Sequence, residues 1–191
     1  MIPANRKIGH INNARDFTTA DPERRRISQA EELEQLSQLG FVAEALDLKD
    51  YFFKEEALRS KLNTLGGVWV SGGNTFVLRQ AMRLSGFDVI IEELSPKSDF
   101  LYAGYSAGIC VLSKSLHFLY IVDNPNDFPY SQIKEVIWEG LVFFDYDFLS
   151  HYDSDHPESR DIDTTIQYCI DHKILFKALR DGEVIVIENN S

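Results

Sequence analysis

Ser106 is the residue in this chain best placed to do chemistry. It lies in Gly104-Tyr105-Ser106-Ala107-Gly108, directly after the strand-like run Phe100-Leu101-Tyr102-Ala103 and before a helix-like stretch from Ala107 to Ser113. A serine hydroxyl is a useful nucleophile only when a sharp turn lifts it clear of the backbone, open to a base on one side and to substrate on the other. Small residues around it make that turn possible. Backbone N–H groups on the far side of the turn would face a developing oxyanion. A five-residue pattern of this kind also arises by chance, and a small-residue turn packed under a sheet would look the same.

A serine nucleophile needs a base, and the base needs an orienting acid. His151 follows the apolar run Gly140 to Leu149 and opens a polar loop, Tyr152-Asp153-Ser154-Asp155-His156-Pro157, where a strand exit would present it. An exposed loop histidine is the plainer reading of the same residue. His117, within Leu116-His117-Phe118-Leu119, suits a packed core position better than a base, and His172 suits the C-terminal end of a helix. Asp123 and Asp127 flank a turn-rich segment, for which turn chemistry alone is sufficient. A second chemistry is open to His151, Asp153, Asp155 and His156, whose types can bind zinc or manganese.

The elements that must position these residues alternate along the chain. Strands are predicted over Lys7–Asn12, Phe41–Leu48, Gly67–Ser71 and Phe100–Ala103. Asp21-Pro22-Glu23 supplies an N-cap, a first-turn proline and an acid for a helix with an apolar face of Ile27, Ala30, Leu33, Leu36 and Leu39, ending at Gly40. Further helices are predicted over Glu55–Leu65, Phe76–Leu84, Ala107–Ser113 and Asp161–His172. A closing hairpin is expected, with arms Leu175–Leu179 and Val184–Glu188 around Arg180-Asp181-Gly182-Glu183. This order predicts an α/β fold: a mostly parallel sheet with helices on both faces and its site at the carboxyl ends of the strands. Gly72-Gly73-Asn74-Thr75 and the serine turn share that end, and one domain over 1–191 is the expected organisation.

Bulk composition narrows the function classes. A net charge of −11 over 191 residues opposes binding to nucleic acid or anionic lipid. No run approaches the ~20 apolar residues of a membrane span, and the polar N-terminus lacks a signal-peptide core, so a cytoplasmic location is the expectation. Cys110 and Cys169 are too few for a disulfide framework. Cys110, one turn behind Ser106, is expected to be a buried packing residue.

Val70-Ser71-Gly72-Gly73-Asn74-Thr75-Phe76 and Tyr105-Ser106-Ala107-Gly108, followed by a turn aspartate and a late histidine, resemble peptidase E and the related cyanophycinases from about Lys7 onward. The resemblance implies a three-layer α/β/α fold of the class I glutamine-amidotransferase (flavodoxin-like) type. It also implies a cytoplasmic serine peptidase, acting without a cofactor or metal on short peptides such as dipeptides with an N-terminal Asp. It implies Ser106 as nucleophile, His151 as base and Asp123, with Asp127 in reserve, as acid. Gly73 and Ala107 become oxyanion-hole donors, Asn74 lines the substrate pocket, and Arg160 holds the substrate's acidic group. A peptide is the expected partner of a monomer or homodimer.

The chain departs from that pattern in three ways. Ser150 stands where relatives commonly have proline before the histidine, and extra residues separate Ser106 from His151. The family's usual first strand also has no counterpart ahead of Lys7. Either Met1 to Arg6 substitutes for it, the sheet rearranges, a partner chain fills the space, or the chain is a shortened form. A catalytically silent relative that binds a peptide or metabolite is the rival expectation.

Overall fold

The computed structural model describes residues 3–17 and 19–188. Four parallel strands form the main sheet in the order β2-β1-β3-β4: β1 Lys7–Ile11, β2 Val42–Ala45, β3 Gly67–Val70 and β4 Leu101–Gly104. A separate parallel pair, β5 Asp147–Leu149 and β6 Phe176–Ala178, lies toward the C-terminal part of the chain. The helices are α1 Pro22–Gln38, α2 Glu55–Leu62, α3 Thr75–Ser85, α4 Phe87–Leu94, α5 Ala107–Cys110 and α6 Ser159–Asp171. The α/β class read from the sequence holds, with a four-stranded parallel sheet at its centre. Of the segment proposed to stand in for a first strand, residues 3–6 are described and form no strand.

The two sheet faces differ in chemistry. In register, Gly9 pairs with Val68 and Ile11 with Val70, so these residues share one face. Ile11, Val68 and Val70 join Leu58, Leu62, Leu78, Met82, Phe87 and Ile90 of α2, α3 and α4 in one apolar core. On the opposite face His10 pairs with Trp69, and α1 lies over that side. Only Leu36 of α1 is buried; Ile27 and Leu39 are 46% and 66% exposed, so the apolar face expected for this helix is not what holds it.

A polar cluster holds α1 instead. Glu32 Oε2 accepts from Ser71 Oγ at 2.6 Å and lies 3.0 Å from His10 Nε2, while Glu32 Oε1 pairs with Arg15 at 3.0 Å and accepts from the Tyr105 hydroxyl at 3.0 Å. Burial alone would raise the Glu32 pKa, but the bonds from His10 and Ser71 and the charge of Arg15 outweigh it and hold the carboxyl down at about 2. His10, unusual in an apolar strand, is therefore a fully buried member of an ion cluster. A recess of about 300 Å³ opens beside it, lined by Glu32, Gln35, Leu36, Leu39, Trp69 and Tyr105.

A second core gathers Phe76, Cys110, Leu116, Phe118, Phe148 and Leu149 around β5 and α6. Tyr102, Leu141 and Phe143 pack against both cores and form the seam between them. The expected closing hairpin is absent: β6 runs parallel to β5, and residues 184–188 form no strand. Leu149 O accepts from Leu179 N and Leu179 O accepts from Tyr152 N. Those bonds commit the first arm to β5, while Val184 and Val186 remain 79% and 71% exposed. Helix α4 was not foreseen; Gly86, in the left-handed conformation, separates it from α3. Among the described residues, no helix is long and apolar enough to cross a membrane.

Replacing Glu32 by Ala should strip α1 of its anchor and leave Arg15 and His10 facing an unpaired buried site. A loss of about 3–5 kcal/mol in chemical denaturation is expected; a loss below about 1 kcal/mol would assign the anchoring to the apolar contacts.

Candidate active site

β4 ends at Gly104, and Ser106 follows with φ 50° and ψ −120°, a positive-φ conformation that costs a residue with a Cβ on the order of 1–3 kcal/mol. The surroundings impose it. A Cβ on Gly104 would lie 2.6 Å from the Val70 carbonyl oxygen, and one on Gly108 would lie 2.2 Å from the same atom. Only glycine at both positions lets the chain reverse this tightly over β3, so the two glycines of the motif are steric requirements. The Gly72 backbone sits against the serine: a Cβ there would be 2.9 Å from Ser106 Cβ and 3.3 Å from its Oγ.

Gly73, at φ 143°, turns the chain away from β3, and a Cβ there would strike the Ala14 carbonyl oxygen at 2.5 Å. Among the described residues, the N–H groups of Gly73 and Ala107 donate to no protein acceptor. Asn74 has a different task from the one expected. Its Oδ1 accepts from Phe76 N and Val77 N and its Nδ2 donates to Asn124 O, so this buried amide caps α3 and docks a loop.

His151 follows β5 by two residues, at φ 64°. Its Nδ1 is 2.7 Å from Asp181 Oδ1. Asp181 lies in the turn after β6, where its own N–H donates to Ser154 Oγ. Parallel pairing of β5 and β6 brings these two strand exits side by side. In the neutral imidazole, an Nδ1–H donated to Asp181 leaves Nε2 as the acceptor. Among the described residues, Ser106 Oγ makes no hydrogen bond to His151; such bonds are often long before substrate arrives.

The carboxylate paired with His151 is thus Asp181, and neither expected aspartate stands there. Asp123 Oδ2 accepts from Thr75 N at 2.8 Å, completing the N-terminal cap of α3. Burial pushes the Asp123 carboxyl up to about 6, against the bonds from Thr75. Among the described residues, Asp123 makes no hydrogen bond to His151. Asp127 is buried, and its backbone carbonyl accepts from Gln80 Nε2. Asp181 was read as a hairpin-turn residue. A parallel strand at Leu175–Leu179 would have placed it beside His151, but nothing local in the sequence separates parallel from antiparallel pairing.

The other candidates are spread around this centre. Arg160 is exposed on the second residue of α6, just past the histidine loop. Cys110 is buried, with its Sγ 3.7 Å from Ser150 Oγ and its thiol pushed up to about 12 by burial, as a packing residue should be. His117 is exposed and stacks on Trp138 at 4.2 Å; it is a surface residue where a core position was expected. His172 caps α6, bonding through Nδ1 to Tyr168 O. Asp153 is held by Arg180 at 2.9 Å, and among the described residues neither it nor Asp155 belongs to the donor cluster around the imidazoles. Glu158 is the carboxylate that joins His151 and His156.

With this geometry in view, the comparisons are consistent. The family model described as "Peptidase family S51" matches residues 23–191. The chain belongs to peptidase family S51. It is 29% identical over 120 residues to "Uncharacterized peptidase Lmo0363" of Listeria monocytogenes, covering 62% of this chain and 55% of that protein. The same identity, over 62% of this chain and 54% of the relative, links it to "Uncharacterized peptidase Lin0382" of Listeria innocua. The matched stretch thus spans about half the length of these relatives. A crystal structure described as "a Putative Peptidase E Protein" from Listeria monocytogenes superposes with a TM-score of 0.75 at 21% identity, covering 100% of this chain and 85% of the other. That of a peptidase from an acI-B1 Actinobacterium gives a TM-score of 0.56 at 17% identity, over 84% and 61% of the two chains.

Two outcomes follow from the site geometry. Gly108→Ala should drive the new methyl into the Val70 carbonyl and lower the melting temperature by several degrees or more; an unchanged melting curve would refute the close approach. Because the folded-state pKa of Asp123 is raised from 3.8 to about 6, the folded protein binds more protons than the unfolded chain between those values. Stability therefore falls as pH rises through that window. Asp123→Asn, which keeps the acceptor for Thr75, should flatten this fall and gain ~1–3 kcal/mol at pH 7–8 in denaturant titrations.

Proposed function

We propose that this protein is a serine peptidase acting on short peptides, with Ser106 as nucleophile, His151 as general base and Asp181 as the acid that orients it. The observation that carries the reading is the positive-φ turn at Ser106 just past β4; the His151–Asp181 contact at 2.7 Å supports it. Both lie in a chain of the S51 family.

In the proposed reaction Ser106 Oγ attacks the scissile carbonyl carbon while His151 Nε2 takes its proton, and Asp181 holds the resulting imidazolium. The Gly73 and Ala107 N–H groups receive the oxyanion. Collapse of the tetrahedral adduct expels the amine, protonated by His151, and leaves an acyl ester on Ser106. Water activated by the same imidazole then hydrolyses the ester. The exposed guanidinium of Arg160 supports a substrate with an acidic N-terminal residue, Asp-containing dipeptides above all. Asn74 is left out of the substrate contacts, because both ends of its amide are engaged within the protein.

A fluorophosphonate probe should label the wild type and spare Ser106→Ala; equal labelling of the two would end the proposal. Asp181→Asn should lower kcat on a dipeptide panel by about 10³–10⁴, through loss of the correct imidazole tautomer. Asp123→Asn should cost less than about tenfold, and the reverse ranking would restore Asp123 as the acid. Arg160→Ala should raise KM for Asp-dipeptides while sparing neutral ones. Sound folding without labelling or turnover would favour a silent binding protein.

A further inference from the structure

His151 belongs to a second constellation that the hydrolytic reading leaves unused. His151, His156 and Glu158 each offer a donor atom, and these atoms lie within 4.8 Å of one another. The His151 and His156 rings stack at 3.8 Å between centroids, 11° from parallel. His156 Nδ1 is 3.9 Å from Glu158 Oε2. We propose that these three residues form a binding site for a borderline-soft divalent metal ion, zinc foremost, and that metal bound there blocks the serine chemistry. The second half rests on the reading of His151 as the base.

The donor set argues for zinc over harder ions. Two imidazoles and one carboxylate, with a fourth position open, match the ligands zinc takes, whereas magnesium and calcium prefer oxygen donors. Nitrogen and oxygen donors about 2.0–2.1 Å from a tetrahedral zinc stand about 3.3 Å apart. The three groups must therefore close by at most about 1.5 Å, with the His156 ring tilting out of the stack. His156 and Glu158 are 33% and 41% exposed, which leaves both room to move. Asp181 already binds His151 Nδ1, the outer carboxylate that commonly orients a zinc-bound imidazole and raises its basicity.

The functional consequence lies in one lone pair. With Nδ1 of His151 engaged by Asp181, Nε2 is the atom left both to take the Ser106 proton and to bind a metal. A bound ion therefore removes the base from the reaction without displacing Ser106.

The test uses the whole chain, treated with chelator, dialysed and titrated with zinc chloride by calorimetry at pH 7.5. One ion per chain with a Kd on the order of micromolar is expected. His156→Ala and Glu158→Gln should each weaken binding by roughly tenfold or more, while His172→Ala should bind as the wild type does. Circular dichroism would confirm that each variant is folded, and Glu158→Gln changes little but the charge. Absence of binding, or unchanged affinity in both variants, would overturn the site. In a second arm, saturating zinc should slow fluorophosphonate labelling of Ser106 at least tenfold in the wild type and far less in the two variants. Labelling that zinc leaves unchanged, or that requires it, would overturn the blocking role. Calorimetry needs no turnover, so it decides the metal site even if the serine reading fails.

Discussion

The carbonyl of Val70 sets the geometry on which the site depends. Lying against both Gly104 and Gly108, it leaves no space for a side chain at either, so the β4–α5 connection can pass only as a tight reversal. That reversal places Ser106 in a backbone region closed to most residues. The Gly72-Gly73 turn, leaving β3 next door, lies against the serine because Gly72 carries no Cβ to meet Ser106 and Tyr105. Backbone strain at Ser106 is thus a product of strand spacing, held in place by the core below β3.

The polar face of the sheet supports the turn from the other side. Glu32 reaches from α1 to Ser71, the residue before the glycine pair, and to Tyr105, the residue before Ser106. One carboxylate therefore ties a largely exposed helix to both turns of the site at once. The arrangement explains how α1 can be so poor in buried apolar surface and still have a fixed seat. Strong local charge pairing takes over where hydrophobic burial is slight.

Much of this was legible in the sequence because it is local. The Asp21-Pro22 helix start, the apolar strand cores and the glycines around Ser106 each carry their physical reason within a few residues. The rest depends on pairings between distant segments. Leu175–Leu179 reads as one arm of a hairpin because an Asp-Gly turn follows it, yet its backbone partners lie some thirty residues earlier in β5. That difference moved the carboxylate beside His151 from Asp123 to Asp181. Asn74 and Asp123 look like site residues by position, and in the structure the N–H groups at the start of α3, which have no intrahelical partner, bond to both side chains. His10 could be recognised as unusual, while its reason, Glu32 on a helix across the sheet, could not be read from sequence spacing.

Ser106 stands on the four-stranded sheet, whereas His151 and Asp181 stand on the two-stranded one, and each sheet has its own core. Tyr102, Leu141 and Phe143 are the side chains shared between those cores. The distance from hydroxyl to imidazole is accordingly a property of an internal seam, like the gap between two jaws set by a washer. Variation in the volume of these three residues could retune the spacing of the site while every polar residue in it stayed the same. Differences in site spacing among related chains would then originate in aromatic and aliphatic positions outside the polar cluster.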